Sequence, residues 1–396
     1  MTKEFPMRSN GPDVQTISTG LVVAIVGFFS SFPIVLQGLV GVGATDLQAA
    51  SGLMAASIAM GVSGIVLSLW KKQPVSVAWS TPGVALLAVS QTPEGGFAVG
   101  VAGFILAGVF TVLAGYWRPL ARLIAAIPAP LAQAMLAGVL LSLCIQPFQA
   151  LADSPALALP IILTWFVVSQ FHKLFAVPAA VVVAALVIVV HSDFVIPLND
   201  PLIAAPVWIM PIFTWEAVTN IALPLFVVTM ATQNIPGLAV LRSFGYQRAP
   251  GQLVASVGGA SILSAPFGSA ATCLAAITAA MCANEASHPD PAQRYWSAVM
   301  GGVFYCVLGV FAGVITSFAA LAPQAVLGTV AGIALIGVFA NATFATLEDP
   351  TYRQSAAITF LVTASGISMF GLSAAVWGLA IGGVVQIVTN RLGHKP

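Results

Sequence analysis

The chain has 396 residues, of which 59% are hydrophobic and 6% are charged, and its formal net charge is +1. Soluble domains carry about 25% charged residues, so this composition excludes a soluble globular protein and indicates an integral membrane protein. With no basic cluster beyond Lys71-Lys72, the chain has no electrostatic footprint for nucleic acid, and we exclude that class of partner.

Apolar runs between polar residues predict the membrane segments, because a bilayer core takes about 20 apolar helical residues to cross. The first run is about twice as long as a signal-peptide core of roughly 7–15 residues, so we interpret it as an uncleaved span. We predict seven segments in each half, at 16–42, 46–69, 74–92, 96–117, 129–151, 156–172 and 175–191, then at 216–241, 249–264, 266–284, 295–320, 323–344, 354–371 and 374–391.

Basic residues test this segment count, because lysine and arginine collect on the cytoplasmic side of a membrane protein. With both termini in the cytoplasm, all 13 basic residues fall on that side: Lys3, Arg8, Lys71, Lys72, Arg118, Arg122, Lys173, Arg242, Arg248, Arg294, Arg353, Arg391 and Lys395. The opposite loops carry only acidic charges: Asp46, Glu94, Asp153, Asp193, Asp200 and Glu216.

Segment 74–92 is too short and too broken for a plain spanning helix. If it only dipped into the membrane, Arg118 and Arg122 would fall on the wrong side, so we predict that it crosses. Six extended residues at about 3.3 Å each and ten to twelve helical residues at 1.5 Å each cover roughly 35 Å, which is sufficient. The same sum holds for 262–284.

Seven segments is an odd number, so a second copy of the unit must be inverted relative to the first, as in many transporters. Faint similarity between Pro130 with residues 137–141 and Pro323 with residues 331–335 supports this repeat. The predicted fold class is an all-α integral membrane protein of 14 segments in two inverted seven-segment repeats, with segments 3 and 10 half strand and half helix.

The two broken segments carry uncharged polar residues where each half-helix is predicted to begin. The first N–H groups of a helix lack partners and carry partial positive charge, so such a start holds a carboxylate without lysine or arginine. The alternative is that these residues only break and pack helices. The candidate residues are Ser80 and Thr81 as N-caps with Pro82 and Gly83, and then Gly268, Ser269 and Thr272.

Flanking spans add amide and aromatic candidates. Gln37, Gln233 and Asn234 lie at membrane depth, where amides either bond across helices or contact a ligand. Trp79 and Phe267 adjoin the predicted half-helix starts, although aromatic residues in spans more often pack. We find no charged residue in mid-span, no nucleophile–base grouping and no metal-ligand spacing, so the sequence predicts neither an enzyme nor a cofactor or metal site.

Three strings carry a family resemblance: residues 231–241 (ATQNIPGLAVL), 265–268 (APFG) and 79–83 (WSTPG). The chain resembles the benzoate/proton symporter (BenE) family of bacterial inner membranes over essentially its whole length. That family is similar in architecture to nucleobase transporters with seven-plus-seven inverted repeats. The resemblance implies a core domain (16–117 and 216–320), a gate domain (129–191 and 323–391), a periplasmic loop (192–215) and cytoplasmic tails (1–15 and 392–396).

The resemblance also implies a substrate site between core and gate, at the starts of segments 3 and 10. Nucleobase symporters of this fold carry a glutamate in the eighth segment, where this chain has Gln233. A glutamine cannot carry the coupled proton as a buried carboxylate could. We therefore expect the substrate's own carboxylate to take part in proton binding, or Glu216 or Asp46 to do so.

The sequence thus predicts a proton-coupled secondary transporter that imports benzoate or a closely related small aromatic carboxylate by alternating access. Its partners would be that substrate, protons and the lipid bilayer. An anion channel or facilitator, or a transporter of a nucleobase or small inorganic anion, stays open. The scarcity of polar groups argues against nucleobases. A homodimer is compatible with the sequence.

Overall fold

The structure is a computed structural model that describes residues 11–117, 119–120, 126–191, 203–367, 369–370 and 372–392. The described chain is mostly helical, and seven of its helices are long and apolar enough to cross a membrane. Outside the described residues lie 1–10, 118, 121–125, 192–202, 368, 371 and 393–396. The sidedness predictions that fall there are those for Lys3, Arg8, Arg118, Arg122, Asp193, Asp200 and Lys395.

In the first half, the predicted opening span is divided by a break at Ser30 and Ser31. Helix α3 starts with a Thr45–Gln48 capping box and ends where Lys72 turns into the left-handed conformation. The elements are α1 (Val14–Phe29), α2 (Phe32–Gly41), α3 (Asp46–Lys71), β1 (Val77–Trp79), α4 (Thr81–Ala88), α5 (Phe97–Tyr116), α6 (Ala129–Asp153), α7 (Pro155–Phe171) and α8 (Ala176–His191).

In the second half, α9 (Ala217–Ser243) widens into π-helical turns at Ala217–Ala222 and Met230–Asn234. Such π-turns often mark functional sites. The predicted span 295–320 is a pair of helices bent by 52°. The remaining elements are α10 (Pro250–Ser264), β2 (Thr272–Leu274), α11 (Ala276–Ala283), α12 (Tyr295–Val310), α13 (Ala312–Ala320), α14 (Gln324–Leu347), α15 (Arg353–Ala364) and α16 (Ala374–Leu392).

Helix packing divides the described elements into two groups. The strand-bearing bundle contains α1–α5, α9–α13 and both strands, with α3 packed on α12, α5 on α10 and α2 on α4. The second bundle contains α6–α8 and α14–α16, with α6 packed on α14 and α15. The bundles meet where α4 and α9 contact α6 and where α2 contacts α14.

Glycines permit the closest crossings inside the strand-bearing bundle. A Cβ on Gly61 would lie 2.5 Å from the carbonyl oxygen of Gly302, where α3 crosses α12. A Cβ on Gly258 would lie 2.9 Å from the carbonyl oxygen of Gly108, where α10 crosses α5. Small residues allow the helix backbones to approach this closely, as is typical of membrane interiors.

Charged residues mark two opposite ends of the molecule. Helix α3 runs from Asp46 to Lys71. We name the end of the bundle near Lys71 the basic end. There the backbone N–H of Arg248 donates to Gln73 Oε1 at 3.3 Å. We name the opposite end of the bundle the acidic end. There the backbone N–H of Glu94 donates to Glu216 Oε2 at 3.1 Å.

Candidate functional site

A two-stranded ribbon lies at the centre of the strand-bearing bundle. Strands β1 and β2 are antiparallel, with Val77 opposite Leu274, Ala78 opposite Cys273 and Trp79 opposite Thr272. Beyond the strands, the Ser80 N–H donates to the Ala271 carbonyl at 2.9 Å, and the Ala275 N–H donates to the Ser76 carbonyl at 3.0 Å. The strand-then-helix form predicted for segment 74–92 is confirmed by β1 and α4.

Helices α4 and α11 leave the ribbon at its opposite ends. Ser80 and Ala275 are separated by four residue steps along the paired strands, which is about 13 Å at ~3.3 Å per residue. Each helix follows its strand, so both N-termini are directed towards the ribbon from opposite sides. Their partial positive charges therefore face each other across it.

The start of α4 is closed by its own cap. The buried Ser80 Oγ accepts the Gly83 N–H at 3.2 Å, which confirms Ser80 as the N-cap, while Thr81 is the first helical residue rather than a cap. The Thr229 hydroxyl of α9 donates to Ser80 Oγ at 2.8 Å. A Cβ on Gly83 would lie 2.5 Å from Leu225 Cδ1, so this glycine serves close packing.

The start of α11 is not where the sequence predicted it. The helix begins at Ala276, its N-cap position is Ala275, and no side chain caps it. Gly268, Ser269 and Thr272 therefore do not form a helix start, and that prediction was wrong. Thr272 lies in β2 and donates to the Val257 carbonyl at 2.8 Å, while Ser269 Oγ donates to the carbonyl of the next residue.

Phe267 and Gly268 lie at the acidic end, away from both helix starts. The Phe267 ring packs edge-on against Trp208 at 5.3 Å. Gly268 has φ +87°, and a Cβ there would lie 3.1 Å from the carbonyl oxygen of Gln48, near the start of α3. The predicted helix start rested on Pro266 and Gly268. In the structure Pro266 lies in a 3₁₀ turn, Ala265–Phe267, and Gly268 ends that turn.

Trp79 is part of the packed interior. Its Nε1–H donates to Ser31 Oγ at 2.8 Å, and its ring lies 5.4 Å from that of Phe28. The indole thus joins the ribbon to the break between α1 and α2. Ser31 was not among the predicted site residues, although a serine pair inside an apolar span is a signal for such a break.

The two amides of α9 have different surroundings. Asn234 is fully buried, and its Oδ1 accepts the Leu274 N–H at 2.9 Å, so it binds α9 to β2. Gln233 is partly buried, and its side chain forms no hydrogen bond with any residue that the structure describes. Thr81 Oγ1 is likewise without a partner among the described residues. The π-turn that carries Gln233 contacts α6 of the second bundle.

Among the described residues, two cavities with mostly apolar linings and a few polar groups lie between the bundles, towards the acidic end. One has a volume of 770 Å³ and includes Gln37, Asp46 and Asp153 in its lining. The other has a volume of 320 Å³ and includes Glu216 and Asn220. The larger cavity also contains amides that the sequence did not single out, Gln146, Gln149 and Gln324, because they lie near the ends of predicted segments.

The family model for the benzoate membrane transport protein, BenE, matches residues 11–388. The chain belongs to the BenE family. It is 36% identical over 383 residues to the inner membrane protein YdcO of Escherichia coli K12, covering 96% of this chain and 97% of that one. It is 33% identical over 337 residues to a benzoate membrane transport protein of Acinetobacter baylyi, covering 84% of each.

The fold of this chain resembles that of solved membrane transporters with low sequence identity to it. The transmembrane domain of the cyanobacterial bicarbonate transporter BicA matches with a TM-score of 0.62 at 16% identity, covering 94% of this chain and 97% of that one. SLC26A9 matches with a TM-score of 0.63 at 12% identity, covering 95% of this chain and 65% of that one. The chain is thus a multi-pass membrane protein with a transporter fold, and BenE is a family of transporters rather than enzymes.

In this BenE chain the predicted site residues fall into three groups. Gln37, Thr81 and Gln233 are partly buried, and their side chains have no hydrogen-bond partner among the described residues. Phe267 and Gly268 are packed at the acidic end. The third group is buried and holds the ribbon and its helices together: Trp79, Ser80, Pro82, Gly83, Asn234, Ser269 and Thr272.

Proposed function

We propose that this BenE chain is a proton-coupled secondary transporter that imports benzoate or a closely related small aromatic carboxylate. The observation that carries the proposal is the pair of half-helix starts facing each other across the ribbon, beside the unpartnered Thr81 and Gln233. No charged side chain lies in the described ribbon or in the first turns of α4 and α11. Helix starts attract one carboxylate, and the apolar surroundings suit an aromatic ring.

The proposed architecture has fourteen crossings in two inverted repeats. It is supported by matching contacts in the two halves: α3 packs on α12 as α10 packs on α5, and α2 packs on α4 as the end of α9 packs on α11. The strand-bearing bundle would be the core domain, 16–117 and 216–320, and the second bundle the gate domain, 129–191 and 323–391. The names of relatives add support, since one is a benzoate membrane transport protein.

We further propose that the basic end faces the cytoplasm of a bacterial inner membrane, with both termini on that side. Lys71, Lys72 and Arg248 cluster at the basic end, which follows the bias of cytoplasmic loops. The relative YdcO is an inner membrane protein. Movement of one bundle against the other would close the 770 Å³ cavity and open the opposite end, which is alternating access.

Three carboxylates are candidates for the coupled proton. They are the substrate's own, that of Glu216 in the 320 Å³ cavity, and that of Asp46 in the 770 Å³ cavity. Proton-driven uptake that survives both Glu216→Gln and Asp46→Asn would assign the proton to the substrate alone. Loss of uptake in one variant would assign it to that residue.

The deciding experiment is uptake of radiolabelled benzoate by the purified protein in liposomes under an imposed pH gradient. We expect accumulation above the external concentration, and competition by salicylate. A channel or facilitator would only equilibrate benzoate across the membrane. Competition by uracil or sulfate without competition by salicylate would contradict the proposed substrate class.

A further inference from the structure

An apolar pocket adjoins the 770 Å³ cavity between the two bundles. It has a volume of 220 Å³, and all of its lining residues among the described ones are apolar. The strand-bearing bundle contributes Phe29, Phe32 and part of α13, and the second bundle contributes parts of α8 and α14. Pro33, Ala319 and Leu327 line both the pocket and the 770 Å³ cavity, so they form the boundary between the two.

The size and the walls of this pocket suit an aromatic ring. An apolar protein cavity of about 150 Å³ holds a benzene molecule, and the pocket exceeds that volume. Three phenylalanines line it: Phe29, Phe32 and Phe318. The rings of Phe29 and Phe32 meet edge to face, with their centroids 6.1 Å apart. Edge-to-face contacts are favourable beyond the apolar area that they bury, and a ligand ring in the pocket would gain contacts of the same kind.

Glutamine amides lie on the other side of the boundary. Gln37 follows Pro33 by four residues on α2, and Gln324 precedes Leu327 by three residues on α14. Residues three or four apart share one face of a helix, so each amide is on the same face as a boundary residue. Both glutamines line the 770 Å³ cavity, Gln324 is exposed, and neither side chain forms a hydrogen bond with any described residue. These amides are therefore accessible to the polar group of a ligand.

The charges of the 770 Å³ cavity disfavour an anion. Asp46 and Asp153 belong to its lining, and no lysine, arginine or histidine is among the described residues that line either cavity. His191 follows the lining residue Ile188 by three residues on α8, but its Nδ1 is 3.1 Å from the carbonyl oxygen of Val187. A carboxylate bound here would meet two like charges and no cation, whereas an uncharged polar group would meet no repulsion. The lining therefore favours an uncharged ligand.

We propose that the pocket and its neighbouring amides form a second binding site, which takes an uncharged aromatic compound carrying one group that both donates and accepts hydrogen bonds. An aromatic carboxamide is a simple compound of this class. Its ring would occupy the pocket, and its amide would reach past Leu327 to Gln37 and Gln324. A glutamine amide both donates and accepts, so it matches a carboxamide. A lipid acyl chain would also fill the pocket, but it would make no use of the amides.

This site is separate from the proposed carboxylate site, because the first turns of α4 and α11 line neither cavity. Both bundles line it, so an occupant stabilises the arrangement of the bundles in which the pocket is formed. The effect on transport rests on the proposed function. Benzamide should lower the maximal rate of benzoate uptake without raising the benzoate concentration that gives half of that rate.

The test is the binding of benzamide to the purified protein in lipid nanodiscs, titrated by saturation-transfer NMR. Ala185→Phe places a ring in the pocket, which Ala185 lines. Leu186→Phe is the matched control, because Leu186 is 58% exposed on the same helix and lines neither cavity. We expect benzamide affinity to fall by about tenfold or more in Ala185→Phe, since a filled pocket leaves no space for a second ring. Leu186→Phe should stay within about twofold of the wild type, because its ring lies outside the pocket.

Gln324→Leu tests the amides, and Gln170→Leu is its control. Gln170 lies on α7, where its amide donates to the Phe166 carbonyl at 3.3 Å, and it lines neither cavity. Loss of one hydrogen bond should weaken benzamide binding by roughly 3- to 10-fold in Gln324→Leu and leave it unchanged in Gln170→Leu.

Unchanged benzamide affinity in both Ala185→Phe and Gln324→Leu would overturn the inference and leave the pocket to lipid. Competition of benzamide and benzoate for one site would also overturn it, because benzamide would then bind at the carboxylate site. A wild-type protein that accumulates no benzoate would overturn the proposed function, while benzamide binding in the four variants would still decide this inference.

Discussion

Helices α4 and α11 both follow a strand of the central ribbon, but their first turns are built differently. Ser80 caps α4, Pro82 removes one N–H donor, and Thr229 binds the cap to α9. Helix α11 begins after Ala275 with no side-chain cap, so its first N–H groups have no side-chain partner. The start of α4 is therefore a structural joint, and we expect a carboxylate to bind at the start of α11 instead.

The largest effect on binding should come from Ala276→Pro. Proline at the first helical position removes one N–H and suits the helix, and Ala275 already has the extended backbone that precedes proline, with φ −91° and ψ 133°. A hydrogen bond to a charged group is worth about 1.5–3 kcal/mol, so benzoate affinity should fall by roughly 10- to 100-fold. Equilibrium binding measures this, with Ala280→Ser as a control in the same helix. Wild-type affinity in Ala276→Pro would show that α11 does not hold the carboxylate.

The next effect concerns the joint between α9 and the ribbon. Asn234→Leu leaves the Leu274 N–H buried without its partner, which should lower the free energy of unfolding by about 1–3 kcal/mol. Gln233→Leu, one residue away, should leave stability unchanged and weaken transport, because the Gln233 side chain forms no hydrogen bond with any described residue. Thermal unfolding in detergent and uptake assays separate the two roles. Equal destabilisation by both variants would contradict this division.

Removing the cap of α4 should have a smaller effect. Ser80→Ala deletes the acceptor of the Gly83 N–H and of the Thr229 hydroxyl, and loss of an N-cap costs about 1 kcal/mol. We expect a lower melting temperature in detergent, with benzoate affinity retained within about twofold. A large loss of benzoate affinity at unchanged stability would show that the carboxylate binds at the start of α4 rather than at the start of α11.

The smallest effect should come from giving α11 the cap it lacks. In Ala275→Ser, the new hydroxyl would accept an N–H of the first turn and stabilise the protein by about 0.5–1 kcal/mol. The same hydroxyl would compete with a bound carboxylate, so benzoate affinity should fall slightly while the melting temperature rises. If both quantities rose together, the first turn of α11 would not be the ligand contact.

The sequence predicted the first break well because its signals are local. A serine before Thr81-Pro82 is a strong N-cap, and the structure uses it as one. The second break was misplaced by eight residues, from Gly268 to Ala276. Alanine at positions 275 and 276 gives no capping signal, whereas Pro266 and Gly268 give a strong turn signal that belongs to the acidic end. An uncapped helix start leaves its N–H groups available to a ligand. Sequence rules that depend on capping residues cannot locate such a start.

Long-range pairings explain the other differences. Nothing in the sequence indicates that Asn234 meets Leu274 or that Trp79 meets Ser31, because these contacts depend on how distant segments pack. The sequence identified amides at membrane depth but could not separate the buried Asn234 from the partly buried Gln233. Five separate segments line the 320 Å³ cavity, and only their packing brings them together: 86–93, 138–142, 216–221, 363–366 and 373–375.

The ribbon that joins the two halves has a consequence for how the family evolves. Its pairing at Val77 with Leu274 and at Ala78 with Cys273 uses backbone groups, which every residue other than proline supplies. Mutation can therefore replace the ribbon's side chains without abolishing the joint. Substitutions can therefore accumulate separately in each half. This agrees with the similar architecture of this chain and BicA at 16% sequence identity.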